Sequence, residues 1–341
     1  MLWVVCAFAA QVKVTVWAQL PVPPIKPIIG ARMPALSPDG KRIAFVYRGD
    51  VWIAPATGGQ ATPLTRHVEM DAFPLFSPDG RWIAFSSLRN GNWDIFVVPT
   101  DGGEVRQLTY HANSEIAYGW SPDGKYLLFS SVRDTTNNTL FALDVRTLRF
   151  KKLTEDYASI NYPSYSPDGK MVVYGRYGFH WTRPRYVGSA AAQIWLLDLT
   201  KNERRALTNN NRQHLWTKFL PDGKSLLTVT IGEETPSVSK LGTAIPKIVD
   251  SPSRTPNLWV FDLEGRGRQL TFFTGGSVRF PTVAWRTGDI AFEYEHDLWL
   301  FPAGSRNPQK IILYAAEDEK QNTRRREVLT SGVTEAEPSP D

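Results

Sequence analysis

The chain holds one cysteine, Cys6, and five histidines in 341 residues. A lone thiol cannot form an internal disulfide, so no disulfide framework organises the fold. His67, His111, His180, His214 and His296 stand far apart, none at the spacing of HExxH, and there is no cysteine pair. No metal-ligand motif is therefore present. The G-x-S-x-G nucleophile elbow is missing, and so is a glycine loop that could cradle phosphate. Ser237-x-x-Lys240 matches a Ser–Lys pattern formally, but it stands in a Pro/Ser-rich stretch without companion motifs and reads as chance. No catalytic residue, metal or cofactor is expected. The net charge of +5 is scattered, with no basic stripe, which argues against nucleic acid. Outside residues 1–18, no apolar stretch has the length of a membrane span.

What the chain does contain is turn-rich and aromatic. It has 25 Gly, 25 Pro and 12 % aromatic residues against 21 % charged, which reads as folded β protein and not as disorder. Residues 1–18 are apolar except for Gln11, Lys13 and Thr15, and "VWAQ" at 16–19 offers a small residue for cleavage. They read as a signal peptide without its positive n-region. A mature protein that is periplasmic or secreted, and not membrane-bound, is the expectation; a cytoplasmic location is the alternative.

The dominant feature is repetition. "SPDG" begins at Ser37, Ser77, Ser121 and Ser166, and "LPDG" at Leu220, at spacings of 40, 44, 45 and 54 residues. A second marker follows each: "DVW" at Asp50, "DIF" at Asp94, "TLF" at Thr139, "QIW" at Gln193, "NLW" at Asn257 and "DLW" at Asp297. A third is "LT", at Leu64, Leu108, Leu153, Leu207 and Leu270. Five units are clear, and a sixth is degenerate, with "AWRTGDIAF" at 284–292 in place of the SPDG turn and its strand. Within a unit, Pro presets φ, Ser and Asp bond the local backbone, and Gly takes the position where φ is often positive. Four short strands fit between the turn signals. Strands two and three carry adjacent apolar residues, as strands covered on both faces do. About 40 residues and four antiparallel strands, six times over, predict an all-β fold: a six-bladed β-propeller of four-stranded antiparallel blades over residues 25–316. The SPDG turns then share one face of the disc. Their aspartates are read as turn residues, not as metal ligands.

Two insertions break the repeat, both between strands two and three of their unit: "GRYGFHWTRPRYVGSAAAQ" at 175–193 and "GEETPSVSKLGTAIPKIVDSPSRTP" at 232–256. Topology places that slot on the face opposite the SPDG turns, beside the links between blades, and this elaborated face is where function is expected. The first insert mixes aromatic anchors with guanidinium groups: Phe179, His180, Trp181, Arg183, Arg185 and Tyr186. Arg binds carboxylates bidentately, and Trp and Tyr supply contact area. Trp181, Arg183, Arg185 and Tyr186 are accordingly candidates for peptide binding; the alternative is that they pin a long loop to the disc. His67, Glu69 and Asp71 cluster in a blade link, and His67 and Asp71 are weaker candidates beside a solvated-loop reading. The second insert reads as a flexible lid or a partly disordered segment.

The end of the chain repeats an earlier passage. "LTSGVTEAEPSPD" at 329–341 parallels "LTRHVEMDAFPLFSPDG" at 64–80 and stops inside the turn. "KIILYAA" at 310–316 is expected to complete unit six, and 317–341 reads as a charged linker and the truncated start of a second propeller. The alternative is a last strand that closes the ring on the first blade.

The blade pattern x-S-P-D-G-[KR]-x-I-A-F … D-I-[WF] … G-G-x-x-x-x-L-T over about 31–301 resembles the repeats of TolB and of tricorn-type proteases. "MPALSPDGKRIAFVYRGDVWIAPATGG" at 33–59 and "GFHWTRPRYVGSAAAQIWLLD" at 178–198 look closest to tricorn-like serine peptidases. The resemblance implies a non-catalytic propeller that binds or gates peptide substrates. It further implies PDZ and protease domains later in the same polypeptide, and the possibility of a homo-oligomer. In archaeal tricorn, the propeller anchors the substrate carboxylate with an Arg pair after the second "LT"; the matching stretch here, "LTYHANSEIAYGW" at 108–120, has no Arg. Alternatives are a TolB-like periplasmic interaction module, a propeller fused to an amidohydrolase-type hydrolase, and a purely structural disc. TolB-like proteins are expected to carry an α/β domain before the propeller, and only about 30 residues precede the first SPDG, which counts against that alternative.

Overall fold

The computed structural model describes residues 24–134, 136–155, 158–177, 182–232 and 254–316. Its strands form six blades around one axis, at 32–63, 71–107, 115–152, 160–206, 215–269 and 278–310. Each blade is an antiparallel sheet whose four strands lie in chain order, and no helix longer than a single short turn occurs among the described residues. The all-β six-bladed reading of the repeat is therefore what the chain forms. None of its described helical segments is long and apolar enough to cross a membrane.

The second strand of each blade explains the adjacent apolar letters. Ile43, Ala44 and Phe45 are fully buried, as are Ile83, Ala84 and Phe85, and Leu127, Leu128 and Phe129. One face of the strand meets the preceding blade and the other the following one, so both alternating sets are apolar. The outermost strands are short and largely exposed, as at Glu203–Ala206.

Each repeated marker has a scaffold task. In the SPDG turn the Ser37 hydroxyl donates to Asp39 Oδ1 at 2.6 Å and accepts from the Arg42 N–H, while Gly40 N–H returns to the Ser37 carbonyl. The same set recurs at Ser77, Ser121 and Ser166. The hydroxyls of Ser37, Ser121 and Ser166 hold the carboxyls of Asp39, Asp123 and Asp168 below the ordinary carboxylate range. These aspartates are committed to the turn. The turns also stack: a Cβ on Gly80 would lie 3.6 Å from Pro38, and one on Gly124, Gly169, Gly223 or Gly288 would lie as near the turn proline of the preceding blade. The threonine of "LT" accepts the N–H of the second residue of strand three, as in Val51 to Thr65 and Ile95 to Thr109. The polar residue of the "D-I-W" marker fastens the link to the next blade. Asp50 accepts His67 N–H, Gln193 accepts Asn210 N–H and Asn257 accepts Phe273 N–H.

The end of the described chain departs from expectation. "KIILYAA" does not act as one strand. Gln309–Lys310 is the outer strand of blade six, and Leu313–Ala316 crosses to blade one. There it pairs parallel with Gly59–Pro63 and antiparallel with Ile25–Pro27, making a six-stranded first sheet. A two-residue strand satisfies the short outer edge of blade six, and the remaining apolar residues gain more by covering blade one, where Leu313 and Ala315 are buried. The sequence 1–18 and the linker at 317–341 lie outside the described residues.

Candidate functional site

The first strand of every blade lines the axis, and each carries a bulge four residues before its turn. The residues there are Met33, Phe73, Tyr162, Trp216 and Phe280, and in blade three Tyr118, one position later. All but Tyr118 have positive φ, between 46° and 56°. A left-handed backbone costs a bulky residue roughly 1–2 kcal/mol. The aromatic members offset this by meeting on the axis. Phe73 lies 6.4 Å from Phe280, Phe280 4.8 Å from Trp216, Trp216 5.4 Å from Tyr162, and Tyr162 5.9 Å from Tyr118. Five rings from five blades form an aromatic collar around the axis.

Between the collar and the SPDG face lies a chamber of about 120 Å³, with Leu36, Phe76, Trp120, Phe219 and Val283 on its wall. Two features of it are not part of the repeat. Trp285, from the degenerate sixth turn, stands on the lining and packs against the blade three–four core, while its neighbour Arg286 reaches the hollow between blades two and three. The other is Lys218, two residues before its turn, where the other blades carry Ala35, Leu75, Gly119, Ser164 and Thr282. Its ammonium crosses from blade five to blade three and donates to the Tyr118 carbonyl at 3.1 Å. Burial pushes its pKa down to about 8. Sequence reasoning missed both the collar and Lys218. An aromatic-Pro pair ahead of the turn, as in "FPLFSPDG" and "YPSYSPDG", was the available signal for the collar.

On the opposite face, the described part of the first insert lies along the link between blades four and five. Val187 bridges to Arg212, and Gly188 N–H donates to the Asn211 carbonyl at 2.8 Å. Buried Gln213 donates to the Arg183 carbonyl at 2.6 Å, which leaves the Arg183 side chain exposed at the surface. Arg185 is half-buried and reaches the Gly276 carbonyl of the next link at 3.4 Å. Tyr186 closes the turn through its N–H to the Arg183 carbonyl. Arg183, Arg185 and Tyr186 thus share one ledge; Trp181, with Phe179 and His180, lies outside the described residues. His214 anchors the base of the insert. Its N–H donates to the Ala192 carbonyl, its Nε2 meets Asn210, and burial holds its pKa near 3.

His67 and Asp71 are placed apart in role. His67 Nδ1 accepts from Glu69 N–H at 3.1 Å within its own loop. Asp71 has no exposed surface and takes both its oxygens to the Arg89 guanidinium at 2.8–2.9 Å. Arg89 in turn lies over Phe96. Glu115 and Arg133 make a buried ion pair at the matching place in blade three, at 2.8 Å, without the paired hydrogen bonds of Asp71. Removing one partner of such a pair strands a buried charge at a cost of about 3–5 kcal/mol, which is the weight of a scaffold residue. Among the described residues no cluster of His, Cys, Asp or Glu has the arrangement of a metal site.

A six-bladed ring with one face of repeated turns, one elaborated face and an aromatic collar on its axis defines a propeller scaffold. Its sequence matches the tricorn protease N-terminal β-propeller domain over residues 31–307, and the chain belongs to that family. It is 30 % identical over 257 residues to the uncharacterized peptidase YuxL of Bacillus subtilis, an alignment covering 63 % of this chain and 32 % of that protein. A 54-residue stretch is 39 % identical to tricorn protease homolog 1 of Streptomyces coelicolor, covering 16 % of this chain and 5 % of that one. The chain therefore spans about a third or less of the curated relatives it matches. The crystal structure of the tricorn protease superposes with a TM-score of 0.64 at 20 % identity, over 83 % of this chain and 26 % of that one. The putative TolB of Agrobacterium tumefaciens superposes with a TM-score of 0.56 at 21 % identity, over 71 % and 80 %. At these identities the superpositions speak for the fold.

Proposed function

We propose that this chain is the non-catalytic propeller of a tricorn-like serine peptidase, and that it receives or guides peptides for a protease domain in the same polypeptide or assembly. The observation that carries this reading is the family match over 31–307 joined to the one-sided elaboration of the disc. The repeated marker residues are engaged in the scaffold, and outside the repeat Arg183 is exposed with Arg185 and Tyr186 half-buried beside it on one ledge. Arg and Tyr are the residue types that anchor peptides. Export guided by residues 1–18 is part of the same proposal.

The test is Arg183→Ala together with Arg185→Ala. Binding of a fluorescent peptide mixture to the wild-type chain should weaken about tenfold or more in the double variant, as for loss of a charge-assisted contact, while the unfolding midpoint stays put. Unchanged binding, or a loss of binding that tracks unfolding, would assign the ledge to loop support instead.

A further inference from the structure

Lys218 puts a charge at a position that no other blade charges. Five blades fill its position with small or neutral residues, and an uncharged side chain there would pack the chamber at lower cost. An ammonium has three N–H donors. Here one goes to the Tyr118 carbonyl, and no carboxylate among the described residues pairs with it. The chamber around it is walled by Phe76, Trp120, Phe219 and Val283. An apolar pocket with one placed polar group is the usual form of a small-molecule site. An apolar cavity of about 150 Å³ takes a benzene-sized guest, and this chamber, at about 120 Å³, is of that order.

We propose that the axial chamber binds a small monocarboxylic acid with a compact apolar body, benzoate or hexanoate in size, whose carboxylate pairs with the Lys218 ammonium. The acid supplies the missing counter-charge and its body fills the apolar wall. With a pKa of about 8 the amine is still mainly protonated at neutral pH. Trp285, on the chamber lining, is placed to cover the guest. The site lies on the far side of the collar from the Arg183–Arg185 ledge and does not depend on peptide recognition there. The same chemistry is offered by a free acid and by the carboxyl-terminal residue of a peptide, and the experiment separates them.

Benzoate and hexanoate are titrated into the chain at neutral pH, with benzyl alcohol as the uncharged counterpart, by calorimetry and by the fluorescence of the lining tryptophans. Both acids should saturate, with benzyl alcohol about tenfold weaker or worse, the weight of a charge-assisted hydrogen bond. Lys218→Met, which keeps the length and apolar volume, should lose at least that factor for benzoate and nothing for benzyl alcohol; Lys218→Gln serves if the first variant does not fold. The Arg183→Ala/Arg185→Ala variant should bind benzoate as the wild type does. A short peptide ending in Phe that binds with its free carboxyl terminus and not as the amide assigns the source to peptides; benzoate binding without it assigns a free acid. Benzoate that binds Lys218→Met equally well, or no saturation by either acid, overturns the proposal.

Discussion

His214 and Lys218 are two basic side chains whose surroundings favour the neutral form, and they were legible to different degrees. The serines, aspartates, glycines and threonines of the markers stood out because a hydrogen-bonded turn needs the same atoms each time it is built. His214 and Lys218 occur once each. Lys218 looks like any strand lysine until register and bulge bring it to the axis, two residues before the turn. Asp71 misled in the opposite way: its loop-like neighbours suggested solvent, while the partner that buries it, Arg89, stands 18 residues away. His214 gives a pH test. Its folded pKa of about 3 lies below the ordinary 6.5, so the unfolded chain takes up a proton first as pH falls. Its stabilising contribution is complete above 6.5 and is lost as pH drops toward 3, at up to about 1.4 kcal/mol per pH unit. Urea unfolding between about pH 6 and pH 4 should show a steeper loss for the wild type than for His214→Gln, other carboxylates being common to both. Equal slopes would mean that the imidazole is hydrated in the folded protein.

At the scale of elements, turns and strands were readable and closure was not. The SPDG turn announces itself, and from Gly80 onward its glycine stacks on the proline of the preceding blade's turn, while Gly40 meets Thr287 and Asp289 of the degenerate sixth turn. The closing strand leaves no such mark. "KIILYAA" is one apolar run, with no Gly, Pro or Asn where the chain leaves blade six for blade one. What decides its path is the exposed edge of the first blade, a tertiary quantity. Gly58 reports on that crossing. It has φ +98°, and a Cβ there would lie 2.5 Å from the Ile312 carbonyl. Gly58→Ala should cost about 2 kcal/mol in urea unfolding, through strain and a displaced closing strand. Gly102→Ala, at φ +85° with open space around it, isolates the strain term and should cost less. Equal costs in the two variants would show that Leu313–Ala316 does not need its observed register.

The whole molecule is a ring whose repeated parts are consumed in holding it together, so its function must lie in what is not repeated. Those parts are the insert ledge, the aromatic collar, Lys218 and the degenerate sixth turn with Trp285. The sequence pointed to the ledge because an insertion is visible as a broken spacing. It marked the collar only by the aromatic-Pro pairs at Phe73, Tyr162 and Phe280, with Tyr118 and Trp216 outside that pattern. The family relation supplies a peptidase context, and the proposed function places a peptide surface on the ledge. The central claim is binding without turnover, and one measurement addresses it directly. Fluorogenic peptides are incubated with the purified chain while their binding is followed by anisotropy in the same samples. The account predicts saturable binding with no release of product above the protein-free control. Product release that persists through purification and scales with chain concentration, or an absence of binding to any peptide, would contradict it.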